Sequence, residues 1–292
     1  MKRTISILLI ACIICSLSAC YTKITEPIPH ETTQVDPTGS TKKPVPQMAM
    51  ASISLPVTTE ATLSADNKEI FHYTYQSISL TLPDPDVAEK VILDFLTNVD
   101  ATRSAADSIK TAAEADYKHP NNQTPYLCQI LFDPMRIDQN ILSLFGNFVT
   151  YQGLSHPEST QLSSTYDLTT GKKLTLSDIL TDSSTADALT ELLVNALAGK
   201  AGLYPDYEET VKHRIFLNFK HDTAWYLSTD GLCFYFAPYD IAPYSSGVIH
   251  ATIPYKNLTG ILDDAYFPVE LEPADGNINV SNFNKQSIVQ YT

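Results

Sequence analysis

The sequence predicts an α+β fold in which antiparallel sheets pack against helix pairs. Three observations carry that expectation. Short apolar runs with alternating polarity recur along the chain, and stripes at helical spacing fall between them. The two kinds do not alternate in the regular order of a parallel βαβ domain. A dipeptide turn, Asp230-Gly231, joins two strongly apolar runs as a hairpin would.

The folded part is expected to open near Leu63. Phe71, Tyr73 and Tyr75 alternate with polar residues, then Ile78, Leu80 and Leu82 alternate in the opposite phase. A one-residue slip exchanges the faces of a strand, so the flip predicts a bulge or bend near Gln76-Ser77. Asp84 and Asp86 can cap a helix carrying Val87, Val91, Ile92, Phe95, Leu96 and Val99. A second helical pattern runs through Ala105, Ile109, Ala112, Ala113 and Tyr117, and ends in the loop-forming KHPNNQTP. Strands follow at Tyr126 to Phe132, at Ile141 to Tyr151, and where Leu162, Ser164, Tyr166 and Leu168 alternate. TTGKK turns the chain into Leu174 and Leu176.

A helical zone begins at Ser177. Ala186, Leu189, Leu192, Leu193, Ala196 and Leu197 form an amphipathic stripe stopping at Gly199 or Gly202. A shorter helix over 206–216 starts at Asp206. The hairpin AWYL-STDG-LCFYF comes next, then the strand VIHATI, with Pro254 ending it before a last short helix near Lys256 to Leu262.

The N-terminus is of another kind. Lys2 and Arg3 precede an apolar run from Ile5 to Leu17, and Leu17-Ser18-Ala19 leads into Cys20. This is the layout of a secretory signal, and the run is shorter than the roughly 20 residues that span a bilayer. It resembles a bacterial lipobox, in which the Cys20 thiol is diacylated and the chain is cut before it. An ordinary secretory signal with a cysteine at the cut would look alike. Two acyl chains would hold the protein stably on the extracytoplasmic face of the cell membrane. The expected organisation is therefore a signal over residues 1–19 and a Thr/Pro-rich tether over 20–50. Two α+β domains would follow, over 51–172 and 173–292. Fully extended, a tether of about 30 residues would reach ~90 Å.

Charge and cysteine usage narrow the function classes. Removing Lys2 and Arg3 from the 19 basic residues leaves 17 against 33 acidic ones, a formal −16. Nucleic acid is a poor partner for such a chain, because phosphate binding needs basic clusters. A cationic protein is a better one, although acidic surfaces also serve solubility. Past the signal and Cys20, only Cys128 and Cys233 remain. They could form a disulfide or stay as two buried thiols; the sequence reads the same either way.

No catalytic motif is present. The seven histidines form no HExxH, HxH or Cys/His cluster, and no nucleophile elbow, P-loop or dinucleotide fingerprint occurs. EPADGN at 272–277 lacks the alternating ligands of a calcium loop. Adjacent carboxylates such as Glu208-Glu209 diverge by about 100° on a helix and make no acid/base couple alone. No metal, no cofactor and no enzymatic activity are expected, while a cell-wall-acting enzyme with residues meeting only in space stays open.

Two stretches carry a resemblance: ILSLFGNFVTYQGLSHPESTQLSSTYDLTTGKKLTLSDIL, residues 141–180, and YLSTDGLCFYFAPYDIAPYSSGVIHATIPYKNL, residues 226–258. They resemble the extracytoplasmic domains of RsiV-type anti-sigma factors, which sense lysozyme, and the paired domains that accompany PdaC-type peptidoglycan deacetylases. FAPYDIAPYSSG is the specific part. Where that family has GGAHG, this chain has Gln152-Gly153-Leu154-Ser155-His156-Pro157, keeping one glycine and the histidine. The sigma-binding segment, membrane span and deacetylase domain of those proteins have no counterpart, so no sigma-factor binding is expected.

The resemblance implies a binding module that captures lysozyme, another cationic wall-active protein, or peptidoglycan. A structural role in envelope assembly is the other alternative. Tyrosines concentrate in the resembling blocks, and Tyr offers large area with few rotatable bonds. Tyr151, His156, Tyr239, Asp240, Tyr244 and Tyr255 are the candidate contact residues. Asp240 could instead cap a turn.

Overall fold

A computed structural model describes residues 51–117, 124–153, 156–221 and 224–268. The signal, Cys20 and nearly all of the tether lie outside the described residues, as do most of the KHPNNQTP loop and EPADGN. The strands are β1 (Ser52–Ser54), β2 (Val57–Leu63), β3 (Glu69–Gln76), β4 (Ser79–Thr81), β5 (Tyr126–Ile137), β6 (Ile141–Tyr151), β7 (Glu158–Asp167), β8 (Trp225–Leu227), β9 (Gly231–Phe236) and β10 (Ile249–Pro254). The helices are α1 (Pro85–Asp116), α2 (Leu176–Ile179), α3 (Ala186–Leu197) and α4 (Tyr207–His221). The fold is α+β. The described residues fall in one compact unit, Met48–Thr292.

Sheet order explains how the pieces fit. A five-stranded sheet runs β2-β3-β5-β6-β7, a three-stranded one β10-β9-β8, and β1 pairs with β4. α1 covers one face of the large sheet, through Val91, Phe95, Val99 and Ile109 packed on Ile130, Phe132, Leu142 and Leu144. The other face receives the small sheet through Phe145, which packs with Tyr226, Cys233 and Tyr235. Beyond the small sheet lie α3 and α4, with Leu189, Leu193, Leu197, Val211 and Ile215 against Trp225, Phe234 and Phe236. The result is four layers: helix, sheet, sheet, helices.

Two strands sit in the middle, and their sequences reflect it. On β6, Leu142 and Leu144 face α1 while Ile141 and Phe145 face the small sheet. On β9, Phe234 and Phe236 face α3 and α4 while Cys233 and Tyr235 face Phe145. Strands buried on both sides read as continuous apolar runs rather than alternating ones.

Several expectations are corrected. Structure begins at β1 and β2, ahead of Leu63; β2 is exposed along most of its length, so its sequence carries little apolar pattern. The phase flip near Gln76-Ser77, expected as a bulge or bend within one strand, is a break between two: β3 ends at Gln76 and β4 leaves to pair with β1. The helical patterns at 84–99 and 105–117 are one helix of 32 residues, because no glycine or proline interrupts them; Asp84 caps it by accepting from the amides of Asp86 (2.9 Å) and Val87 (3.4 Å). The sheets are not wholly antiparallel, since α1 carries the chain across so that β5 runs parallel to β3. The expected last helix is a 3₁₀ turn, Tyr255–Asn257.

Cys128 and Cys233 are buried free thiols and no disulfide joins them. They belong to different clusters, Cys128 under α1 and Cys233 beside Phe145. Burial pushes the Cys128 thiol up to about 11 and raises that of Cys233. Neither is therefore activated.

Candidate functional site

Three of the six candidate residues meet in space and three do not. His156, after the β6–β7 turn, packs against Tyr244 with ring centroids 5.1 Å apart. Tyr244, opening a 3₁₀ turn, lies 5.6 Å from Tyr239. Tyr239 and Tyr244 stay 67% and 44% exposed, and His156 is exposed as well. Loops about 90 residues apart in sequence thus build one exposed aromatic patch.

The turn that presents Tyr239 is held from below. Asp240 accepts from the Ala237 amide (2.9 Å) and from the Arg214 guanidinium on α4, whose planar group also lies 5.7 Å from the Phe236 ring centre. The Asp240 amide reaches the Ala237 carbonyl and the Tyr239 amide the Ala242 carbonyl, both at 3.0 Å. Ile241 and Ala242 plug the core beneath. Tyr239 itself adopts φ +73°. Left-handed backbone costs a non-glycine residue roughly 1–2 kcal/mol. A large exposed ring kept in that conformation is a feature associated with binding surfaces.

Asp240 thus takes the turn-capping role that its residue type allowed, its half-buried carboxylate shared between the Ala237 amide and Arg214. Tyr255 is half-buried and structural: its hydroxyl donates to the Ser228 carbonyl (2.8 Å) and accepts from Arg136 Nη1 (2.7 Å). Tyr151 packs edge-on against Tyr126 at 6.4 Å.

Arg136 is the polar centre that sequence reading misses. Its side chain is 3% exposed; Nε donates to Asp138 (2.6 Å), Nη1 to the Tyr266 carbonyl (2.6 Å) and Nη2 to the Phe267 carbonyl (3.3 Å). A bulge between Pro134 and Arg136 turns this residue away from α1 and toward the small sheet. The signal was available: a charged residue inside an apolar strand is rarely buried without partners.

Between the sheets, His250 packs on Phe145 (5.0 Å), and its Nδ1 lies 3.0 Å from the Tyr226 hydroxyl. Burial, aided by the Lys200 charge, holds its imidazole below the usual 6.5. The unfolded chain therefore binds a proton that the folded chain resists. Stability present above pH 6.5 is lost as pH falls through the folded value. Urea unfolding at pH 7.5 and 5.5 should show that loss, and His250→Asn should shrink it; an equal loss in the variant would remove His250 as the cause.

Among the described residues, no cluster of three or more His, Cys, Asp or Glu could hold a metal, and no helix is long and apolar enough to cross a membrane.

The α+β fold has a solved counterpart. A crystal structure of a member of the DUF3298 family from Bacteroides fragilis aligns with TM-score 0.53 and 19% identity, over 74% of this chain and 94% of that one. A DUF3298 family protein from Pseudomonas aeruginosa aligns over 75% of this chain and 97% of that one, with TM-score 0.48 and 17% identity. Residues 177–256 match the family model DUF3298, described as a protein of unknown function. Comparison with curated proteins gives no match.

Proposed function

We propose that this protein is a non-enzymatic binding module, lipid-anchored through Cys20 on the extracytoplasmic face, that captures lysozyme or another cationic wall-active protein. The exposed His156–Tyr244–Tyr239 patch carries this reading. Rigid aromatic rings on a braced turn supply contact area at low entropic cost, as hot spots do. The formal −16 of the chain beyond residue 19 favours encounter with a cationic partner. The resemblance of residues 141–180 and 226–258 to lysozyme-sensing ectodomains supports the same assignment. Peptidoglycan, whose sugar rings also stack on tyrosine, is the alternative ligand.

Calorimetric titration of the full chain with lysozyme at two salt concentrations tests the proposal. Saturable binding, weaker at high salt, is expected, with Tyr244→Ala losing about tenfold or more in affinity. Tyr239→Gly should separate function from fold: it relieves left-handed backbone, gaining roughly 1 kcal/mol in stability, yet removes a contact ring and weakens binding. A flat titration, or Tyr variants that bind like the parent, would sink lysozyme capture and turn the search to wall glycan.

A further inference from the structure

A second surface lies on the outer side of the helix pair. α3 turns Leu189, Leu193 and Leu197 into the core, but a neighbouring stripe with Thr190 and Val194 looks across to α4. On α4, Glu208, Lys212 and Ile215 recur at i, i+4 and i+7 and face that stripe. Between them runs an open groove of about 720 Å³. Its floor is apolar, from Val194 and the buried Ile215, and one wall is Phe216, a residue 62% exposed. A phenylalanine that far out of the core, beside an empty apolar trough, is unsatisfied by the fold alone.

The rim selects the occupant. Asp187, Glu191 and Glu208 edge the groove against a single cation, Lys212, and none of the three carboxylates has an ion-pair partner among the described residues. A second copy of this acidic chain would bring like charges together, and an anionic lipid surface would meet the same repulsion. A segment with apolar anchors and Lys or Arg on its flanks satisfies both floor and rim.

We infer that the α3–α4 groove binds a basic amphipathic helix of a protein partner, with an apolar side chain seated against Phe216 and Ile215 and its cations on Asp187, Glu191 and Glu208. This surface is separate from the aromatic patch. Arg214, which braces the Tyr239 turn, projects from α4 well round from the Glu208–Lys212–Ile215 stripe. The groove stands or falls independently of lysozyme capture.

The test is fluorescence anisotropy of a labelled 15-residue Lys/Leu amphipathic helical peptide against the full chain at low salt. Saturable binding is expected, weakened about tenfold or more by Phe216→Ala and by the double change Glu191→Gln with Glu208→Gln, and tightened by Lys212→Gln. Tyr244→Ala should leave it unchanged. All these side chains are at the surface, so folding is preserved. Absence of saturable binding would overturn the inference. So would equal affinity in the parent and in the Phe216 and Glu variants, or equal binding of a Glu/Leu peptide of the same pattern.

Discussion

Arg136→Ala should cost about 3 kcal/mol of stability, the lower end of what breaking a buried ion pair removes. The loss has three physical sources. Asp138 loses the 2.6 Å cationic partner beside its partly buried carboxyl group. The Tyr266 and Phe267 carbonyls lose their donors, so the last described segment loses its attachment to β5. Tyr255 loses both the guanidinium over its ring, at 5.5 Å, and a hydrogen-bond donor to its hydroxyl. Because β5 belongs to the large sheet and Tyr255 follows β10 of the small one, the change loosens the junction between the sheets. Chemical denaturation should show a lowered midpoint, and Asp138→Asn should cost less, since its one carboxamide oxygen still accepts from the Asn140 (2.9 Å) and Ile141 (2.8 Å) amides and only the acceptor at Arg136 Nε is lost, while Nη1 and Nη2 keep theirs. Equal stability of Arg136→Ala and the parent would mean that the buried cation is only tolerated.

The elements that spelled themselves out are those whose burial matches one local period. The stripe of α3, the Asp84 cap and the apolar runs of β6 and β9 follow from spacing alone. Pairing did not follow. β3 and β5 lie side by side in parallel only because α1 spans the sheet between them, and neither strand's own residues encode that neighbour. The breadth of burial on β6 was legible as an unbroken apolar run, yet which face met α1 was not. That is set by the register with β5, in which Phe132, packed under α1, pairs with Gly146.

The candidate site divides in the same way. His156 and Tyr244 could be singled out through the resembling blocks, but their contact is a property of two loops brought together by the sheets. Asp240 and Tyr255 carry the same residue chemistry as the exposed candidates, and only tertiary placement turned them inward, one onto Arg214 and the other onto Arg136. The left-handed backbone of Tyr239 has no residue-type signal, since the turn imposes it from outside.

Gly231→Ala should be the most damaging small substitution in the C-terminal half, destabilising by about 3 kcal/mol, the upper end for overpacking. As the turn dipeptide of the hairpin, Asp230-Gly231 would owe its glycine to backbone freedom in the turn. The structure gives a different reason, because neither residue has positive φ. Ser228 makes the turn, accepting from the Asp230 (3.2 Å) and Gly231 (3.1 Å) amides through its hydroxyl. Gly231 is already in β9, paired with Pro254 of β10, and a Cβ there would lie 2.0 Å from the Ile253 carbonyl oxygen. That neighbour is backbone of β10, the strand hydrogen-bonded to β9, so relief requires β9 and β10 to separate. Leu232, Phe234 and Ile253, all in the core under α3 and α4, would be displaced with them. By contrast Gly199, with φ +82° and open space around it, should tolerate alanine sterically and lose only the left-handed preference, roughly 1–2 kcal/mol. Thermal unfolding of the two variants separates the readings: a larger drop for Gly231→Ala places the cost in strand approach, whereas equal drops would return it to turn conformation.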